Sequence, residues 1–132
     1  MTKIYLISPS KIENSFFLKL ENILATKLVS LFQLRLKNYE DQDVIAISKR
    51  VKDICRKYKV KFVLNDRFNL AVIVGADGAH LGRSDAILKE VMLQKPKNFL
   101  IGVSCYDDKG LIHKAAESGV DYISLGAFFP TK

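Results

Sequence analysis

The chain has 132 residues, of which 48% are hydrophobic and 27% charged; this suits one folded domain over residues 1–132 and excludes an intrinsically disordered protein. No apolar run approaches the roughly 18 residues of a membrane span, and the N-terminus lacks the features of a signal peptide, so we expect a cytoplasmic protein. The net charge is +7, but the lysines are scattered without interleaved aromatic residues, so a nucleic-acid-binding module has only the net charge in its favour.

Strand and helix patterns alternate along the whole chain. Short apolar runs indicate strands, and apolar residues at helical spacing indicate helices. The predicted elements are, in chain order, a strand at 3–8, a helix at 12–27, a strand at 28–37, a helix at 42–58, a strand at 61–64, a short helix at 67–74, a strand at 78–81, a helix from 84 to about 93, a strand at 99–104, a helix from 107 or 108 to about 119, and a strand at 121–125.

This alternation predicts an α/β protein with a parallel sheet covered by helices. An open doubly wound sheet and a (β/α)₈ barrel are both compatible with it. Polar residues follow several different strands, which favours the barrel, because an open sheet gathers its ligand groups near one switch point. Six strands and five helices leave a barrel two strands short, so we expect the N-terminal three-quarters of one.

The stretch "QLRLK" places three polar side chains at alternate positions near the end of the second predicted strand. Alternate side chains of a strand share a face, so Gln33, Arg35 and Lys37 are expected to point the same way. Isolated buried charges are very costly. The strand end therefore reaches water, pairs with internal acids, or forms a phosphate clamp.

Two carboxylates follow neighbouring strands. Asn65 and Asp66 come directly after the third strand, where they could form an Asx turn that caps the next helix. Asp85 follows the fourth strand, where it could be an ordinary acid of a helical first turn. Together Asp66 and Asp85 would suit Mg²⁺, an ion that commonly bridges one or two carboxylates to substrate phosphates.

The remaining candidates are single residues. His80 is expected to be a structural histidine, and Asp77 to serve the turn before Gly78. The hydroxyl of Ser104, at the end of the fifth strand, could hold a phosphate oxygen. Cys55 and Cys105 lack metal or redox spacing and are expected to be buried, reduced thiols. The candidates gather at the carboxyl ends of different strands, which suits a pyrophosphate ligand and hence a phosphate-binding α/β enzyme.

In this order and spacing, the motifs "YLIS", "QLRLK", "NDRFNLAVIVGADGAHLGRSD", "IGVS" and "GVDYISLGAFFPT" resemble thiamine phosphate synthase over essentially the whole chain. The resemblance implies a (β/α)₈ barrel that joins hydroxymethylpyrimidine diphosphate to hydroxyethylthiazole phosphate and releases pyrophosphate. The residues that it assigns to the pyrimidine diphosphate are Gln33, Arg35, Lys37, Asn65 and Ser104.

The same resemblance assigns Mg²⁺ to Asp66 and Asp85. Thr131 would be the first threonine of a loop that holds the thiazole phosphate. Arg83 is a departure, because the family usually has glutamine there. The implied reaction breaks the pyrimidine methylene–oxygen bond with cationic character and needs no general base, which agrees with the lack of an evident base in this sequence.

Other functions stay open at this point. A related thiazole tautomerase shares the barrel, but it carries a histidine near the position of Tyr106 and lacks the acid at Asp85. A non-catalytic remnant is a further alternative. Because the loop motif at Thr131 is cut, we expect a truncated chain with two open sheet edges, which leaves a homo-oligomer as one way to cover them.

Overall fold

The computed structural model describes residues 1–130, and the side chains of all of these except residues 85 and 86. The predicted order of six strands and five helices is confirmed. The elements are β1 (Ile4–Ile7), α1 (Phe16–Leu24), β2 (Val29–Leu34), α2 (Asp41–Lys57), β3 (Lys61–Asn65), α3 (Phe68–Ile73), β4 (Gly78–Leu81), α4 (Asp85–Gln94), β5 (Leu100–Tyr106), α5 (Lys109–Ser118) and β6 (Tyr122–Leu125).

All six strands form one parallel sheet in the order β1-β2-β3-β4-β5-β6. Each strand therefore pairs with the next one along the chain, and a helix carries the chain back between them. Because the sheet is parallel throughout, the carboxyl ends of all strands lie on the same side of the sheet, which we call the carboxyl edge. This architecture is a parallel α/β fold, as predicted.

The hydrophobic core lies between one face of the sheet and the helices. Alternate strand residues supply it from the sheet side, including Phe32, Phe62 and Ile101, which are at most 1% exposed. Leu20 of α1 and Val51 of α2 are buried to the same extent. Burying a side chain of this size stabilises the fold by about 1.5–3 kcal/mol. The core therefore occupies one face of the sheet, and the intervening strand residues are left to the opposite face.

The sheet is strongly curved. Parallel strands lie about 4.8 Å apart, so β1 and β6 would be separated by about 24 Å in a flat six-stranded sheet. The hydroxyl oxygens of Tyr5 on β1 and Tyr122 on β6 are only 2.9 Å apart. Two tyrosine side chains cannot span the flat distance, so the sheet curls around them into a half-barrel. The face opposite the helices is the concave one.

The helix ends follow the predicted signals. Asp108 caps α5 by accepting hydrogen bonds from the backbone N–H groups of Gly110 and Leu111. Gly119 ends the same helix in the left-handed conformation, with φ of 76°, which glycine adopts at no steric cost. Within residues 1–130, no helix has both the length and the apolar character that a membrane span requires.

Ser48 on α2 gives a prediction about stability. Its side chain is fully buried, and its hydroxyl oxygen has no hydrogen-bond partner among the described residues. An unpaired buried hydroxyl costs free energy, so we expect Ser48→Ala to raise the free energy of unfolding by about 1 kcal/mol. Urea denaturation measures this change. Ser118→Ala is the control for which no such gain is expected, because this half-buried helical serine already donates its hydroxyl to the Lys114 carbonyl at 2.8 Å. A clear loss of stability in Ser48→Ala would show that the hydroxyl has a stabilising partner.

Candidate active site

The concave face carries a row of residues that the strand register brings side by side. Asn65 pairs with His80, His80 with Gly102, and Gly102 with Tyr122, across β3 to β6. Cα partners in neighbouring strands place their side chains on the same face. Ser104 lies two residues beyond Gly102 on the same face, toward the carboxyl edge of the sheet. Polar side chains from several strands thus meet inside the curve.

At β2, the structure corrects the sequence prediction. The strand ends at Leu34 and not at residue 37, so Arg35 and Lys37 lie in the loop that follows. The reason is that the partner strand β1 ends before Pro9. The backbone N–H groups of Arg35 and Lys37 therefore make hydrogen bonds outside the β-ladder. The backbone N–H of Arg35 donates to the Ser8 hydroxyl at 2.9 Å, and that of Lys37 donates to a backbone carbonyl at 3.0 Å.

The three polar side chains of this stretch consequently differ in exposure. Gln33 is 2% exposed on the concave face, whereas Arg35 is half-buried and Lys37 is exposed. The prediction that all three lie on one strand is wrong for the two cations, because Arg35 and Lys37 follow the end of β2. Among the described residues there are three ion pairs, and neither Arg35 nor Lys37 belongs to any of them. Both cations are therefore free to meet an anion at the carboxyl edge.

Asn65 and Asp66 meet at the end of β3. The Asn65 amide nitrogen donates to the Asp66 carboxylate at 3.2 Å. Asp66 has a φ of 60°, and its backbone N–H donates to the carbonyl of His80 at 2.8 Å. The N-cap of α3 is Arg67, without a side-chain cap, and in the described part of the chain no backbone N–H donates to the Asp66 carboxylate. The Asx-cap alternative is therefore not seen.

The Asp66 carboxylate lies against the loop after β4. A Cβ atom added to Gly82 would be 4.0 Å from one of its oxygens. Asp85, the second predicted metal ligand, is the first residue of α4 and follows this loop, but its side chain lies outside the described part, as does Thr131. Among the described residues, no group of three or more histidine, cysteine or acidic side chains could hold a metal.

His80 is buried, and both of its ring nitrogens have partners. Nδ1 lies 3.0 Å from the Tyr122 hydroxyl, and Nε2 lies 2.8 Å from the Ser104 hydroxyl. Burial lowers the pKa of His80; the Asp66 carboxylate opposes this shift and the Arg35 guanidinium adds to it. The imidazole is therefore neutral near pH 7. The ring nitrogens of His80 are satisfied by hydrogen bonds, as expected for this residue.

Three hydroxyl residues of this site, Tyr5, Tyr122 and Ser124, were not predicted from the sequence. The Gln33 amide nitrogen donates to Tyr5, the Tyr5 and Tyr122 hydroxyls are hydrogen-bonded, and Ser124 donates to Ser104 at 3.3 Å. Burial is the main factor that raises the pKa of both tyrosines, so their hydroxyls stay protonated. Tyr5 and Ser124 each lie between two apolar residues of a predicted strand, which was a usable signal.

Gly102 makes room for the Tyr122 ring. A Cβ atom at Gly102 would lie 2.0 Å from the nearest ring carbon of Tyr122. The ring therefore lies directly on the β5 backbone, which aims its hydroxyl at His80. The ring centroids of His80 and Tyr122 are 5.5 Å apart.

The structural roles expected for Asp77 and the cysteines are consistent with the contacts. The Asp77 carboxylate accepts a hydrogen bond from the backbone N–H of Phe62 at 2.8 Å, before β4 begins. Cys55 and Cys105 are free and buried. Burial raises the pKa of the Cys55 thiol to about 12 and raises that of Cys105. Neither thiol is poised to act as a thiolate nucleophile.

Arg83, the departure noted in the sequence, lies over the ring of Tyr106 with its guanidinium carbon 4.3 Å from the ring centroid. This is cation–π geometry, and it joins the loop after β4 to the end of β5. A cavity of about 620 Å³ opens beside it, and Asp66, Arg67 and Leu81 are among the residues that line it. Most of the other lining residues belong to α3, α4 and the loop after β4.

Comparisons with known proteins agree with this geometry. A family model described as thiamine monophosphate synthase matches residues 4–132. The thiamine-phosphate synthase of Pelagibacter ubique (strain HTCC1062) is 44% identical over 130 residues, which cover 98% of this chain and 62% of that protein. The thiamine-phosphate synthase of Erythrobacter litoralis (strain HTCC2594) is 37% identical, with 97% and 61% covered.

The fold matches as well. The solved structure of thiamine phosphate pyrophosphorylase from Pyrococcus furiosus superposes with a TM-score of 0.79 at 29% identity, covering 98% of this chain and 62% of that one. This chain thus spans about three-fifths of the length of these relatives. The match of the family model to nearly every residue shows that the chain belongs to the thiamine monophosphate synthase family.

Proposed function

We propose that the protein couples 4-amino-2-methyl-5-hydroxymethylpyrimidine diphosphate to hydroxyethylthiazole phosphate, giving thiamine phosphate and pyrophosphate. The observation that carries the proposal is the pair of cations, Arg35 and Lys37, at the carboxyl edge, unpaired among the described residues and close to a polar concave face. Membership of the family supports the same reaction. An arginine fork with a nearby lysine suits a diphosphate better than it suits a neutral ligand.

In this proposal, the pyrimidine diphosphate lies across the carboxyl ends of β2 to β5. Arg35 and Lys37 bind its phosphates, and Ser104 donates to a phosphate oxygen. Gln33 and Asn65 act as polar contacts from the concave face. Thr131 is proposed, from the sequence alone, to hold the thiazole phosphate. The partners are therefore small anionic molecules.

Mg²⁺ is the proposed cofactor, and the Asp66 carboxylate is the described side chain that supports it. The Asp66 carboxylate is a hard oxygen donor, and it takes part in no ion pair among the described residues. Asp66 and Asp85 would hold the ion, the second from the start of α4. When bound, the ion would neutralise charge on a diphosphate leaving group.

The protein's own residues would act by stabilising charge. As the methylene–oxygen bond breaks, negative charge develops on the departing diphosphate, and Arg35 and Lys37 stabilise it from fixed positions. The thiazole nitrogen attacks the carbon without losing a proton, so no general base is required. His80 is neutral and has partners at both nitrogens, which agrees with a reaction that needs no base.

We also propose that the six strands are part of a (β/α)₈ barrel. The support is the curl of the sheet, which brings Tyr5 and Tyr122 together, and the greater length of the matched relatives. The thiazole tautomerase alternative is not favoured. The position near which that enzyme carries a histidine is occupied by Tyr106, whose ring is covered by Arg83.

The test is a coupling assay on the full-length protein with both substrates and Mg²⁺. We expect Arg35→Gln and Lys37→Ala to lower kcat/KM by about 10²–10³-fold, as loss of one preorganised charge-stabilising group does in comparable sites. Lys97→Ala is the matched control, because Lys97 is an exposed lysine that precedes β5 at the opposite edge. Thiazole isomerisation without coupling, or full activity in both variants, would contradict the proposal.

A further inference from the structure

One continuous hydrogen-bonded chain crosses the concave face, from β2 through β1, β6 and β4 to β5. It runs Gln33–Tyr5–Tyr122–His80–Ser104, and we call it the polar chain. The distances are 2.9 Å between the two tyrosine hydroxyls, 3.0 Å from Tyr122 to His80 Nδ1, and 2.8 Å from His80 Nε2 to Ser104. The residues at its two ends, Gln33 and Ser104, are proposed to contact the substrate. The three residues between them have no such proposed role.

The chemistry of the first donor sets the direction of the whole polar chain. The Gln33 amide nitrogen can only donate, so the Tyr5 oxygen accepts from it. We assign the single proton of Tyr5 to the Tyr122 oxygen, since the reverse direction would leave the Tyr5 proton without a hydrogen-bond acceptor among the described residues. Tyr122 in turn gives its single proton to Nδ1 of His80. A neutral imidazole carries one proton, so that proton lies on Nε2 and is donated to Ser104.

At Ser104, the acceptor capacity of the hydroxyl is filled. Its oxygen accepts from Nε2 of His80 and from the Ser124 hydroxyl, at 2.8 Å and 3.3 Å. A serine oxygen has two lone pairs and one proton. With both lone pairs occupied, Ser104 can interact with anything further only by donating its proton. An anionic phosphate oxygen accepts such a proton, whereas an N–H or O–H donor would find no free lone pair.

Several features keep the side chains of the polar chain uncharged and fixed in position. Burial lowers the pKa of His80 and raises the pKa of Tyr5 and Tyr122, so all three keep their neutral forms near pH 7. Gly102 lets the Tyr122 ring lie on the β5 backbone. The Tyr5 and Tyr122 rings meet edge to face at 5.5 Å. The Tyr5 and Tyr122 hydroxyls therefore each have one partner on either side along the polar chain.

We propose that Tyr122 and His80 are positioning residues that orient the Ser104 hydroxyl as an obligatory donor to an anionic oxygen of the substrate. The identity of that oxygen as part of a diphosphate rests on the proposed function. The orientation itself rests only on the contacts above. Neither residue touches the reacting atoms in this proposal; both act through Ser104.

The first test reads the tautomer of His80 directly. The chain has two histidines, and His113 is exposed on α5, so it serves as an internal reference in ¹⁵N NMR spectra. We expect His80 to carry its proton on Nε2 in the unmodified protein and to lose this preference in Tyr122→Phe. A proton on Nδ1 in the unmodified protein would overturn the assigned direction, whatever the enzyme's activity.

The second test measures binding of inorganic pyrophosphate with Mg²⁺ by titration calorimetry on the full-length protein. We expect Tyr122→Phe to weaken binding about tenfold or more, the size of one hydrogen bond to a charged group. Tyr122→Phe in a Ser104→Ala background should cause no further loss, since both changes remove the same contact. Tyr58→Phe, at the C-cap of α2, is the control, and thermal melting verifies folding of each variant.

The outcomes separate the two proposals. If the unmodified protein binds pyrophosphate and Tyr122→Phe binds it equally well, the positioning role is overturned and the proposed function stands. If the losses of Tyr122→Phe and Ser104→Ala simply add, Tyr122 acts elsewhere and the positioning role is again overturned. If the tautomer is as expected but pyrophosphate does not bind, a diphosphate is excluded as the ligand, and the proposed function fails with it.

Discussion

Asp66→Asn in the full-length protein is expected to abolish Mg²⁺-dependent turnover, with a loss of at least about 10²–10³-fold. The substitution removes the negative charge but keeps a side chain that tolerates the left-handed backbone at this position, where φ is 60°. Asparagine is one of the few residues that adopts this conformation readily. The fold should therefore be retained, and the loss of turnover should report on the carboxylate alone.

Steady-state kinetics over a range of Mg²⁺ concentrations measures this effect. Asp53→Asn is the matched control, because Asp53 is an exposed acid on α2, and we expect it to leave turnover unchanged. Asp66→Ala should lose as much activity and also some stability, because alanine at positive φ costs about 1–2 kcal/mol. Near-normal turnover of Asp66→Asn would mean that this carboxylate does not hold the metal.

Gly78→Ala is expected to lower the free energy of unfolding more than the corresponding change at Gly102 or Gly126. The new Cβ atom would lie 2.2 Å from the carbonyl oxygen of Leu100 and 2.6 Å from its Cβ atom. These atoms belong to the first residue of β5, which pairs with Gly78. Relief would require two central strands to separate, so we expect a loss of at least about 3 kcal/mol.

Urea denaturation checks this result against two other glycines. Gly126→Ala meets no atom within 4 Å, and its free energy of unfolding should change by less than about 0.5 kcal/mol. Gly102→Ala meets the Tyr122 ring, a side chain that can rotate away, so its loss should be smaller than that of Gly78→Ala. Equal stability of Gly78→Ala and Gly126→Ala would contradict the strand packing described above.

Much of the fold could be predicted because its determinants are local. Apolar periodicity, the cap at Asp108 and the stop at Gly119 all act within a few residues of the chain, and the predicted element order is confirmed. The end of β2 was mispredicted for a non-local reason. Residues 28–37 alternate well enough for one strand, but the strand needs a partner, and β1 stops before Pro9.

The site was predictable in part. Gln33 and Ser104 were identified from their places at strand ends, and the structure puts both on one face within a single hydrogen-bonded network. Tyr5 and Tyr122 were missed because a tyrosine in an apolar strand is normally counted as core. Which face it occupies depends on register, and register depends on strands that are distant in the sequence. The metal ligand pair stays a prediction, since the Asp85 side chain lies outside the described residues.

By itself, the sequence determined the class of fold, the order of its elements, the family, and the edge at which the polar residues gather. These follow from short-range patterns and from motifs in a fixed order. Only the tertiary structure decided that β1 and β6 approach each other, and that five side chains from five strands form one directed chain ending at Ser104. Curvature and register are properties of the whole sheet, and a 2.9 Å contact between residues 5 and 122 has no local signature.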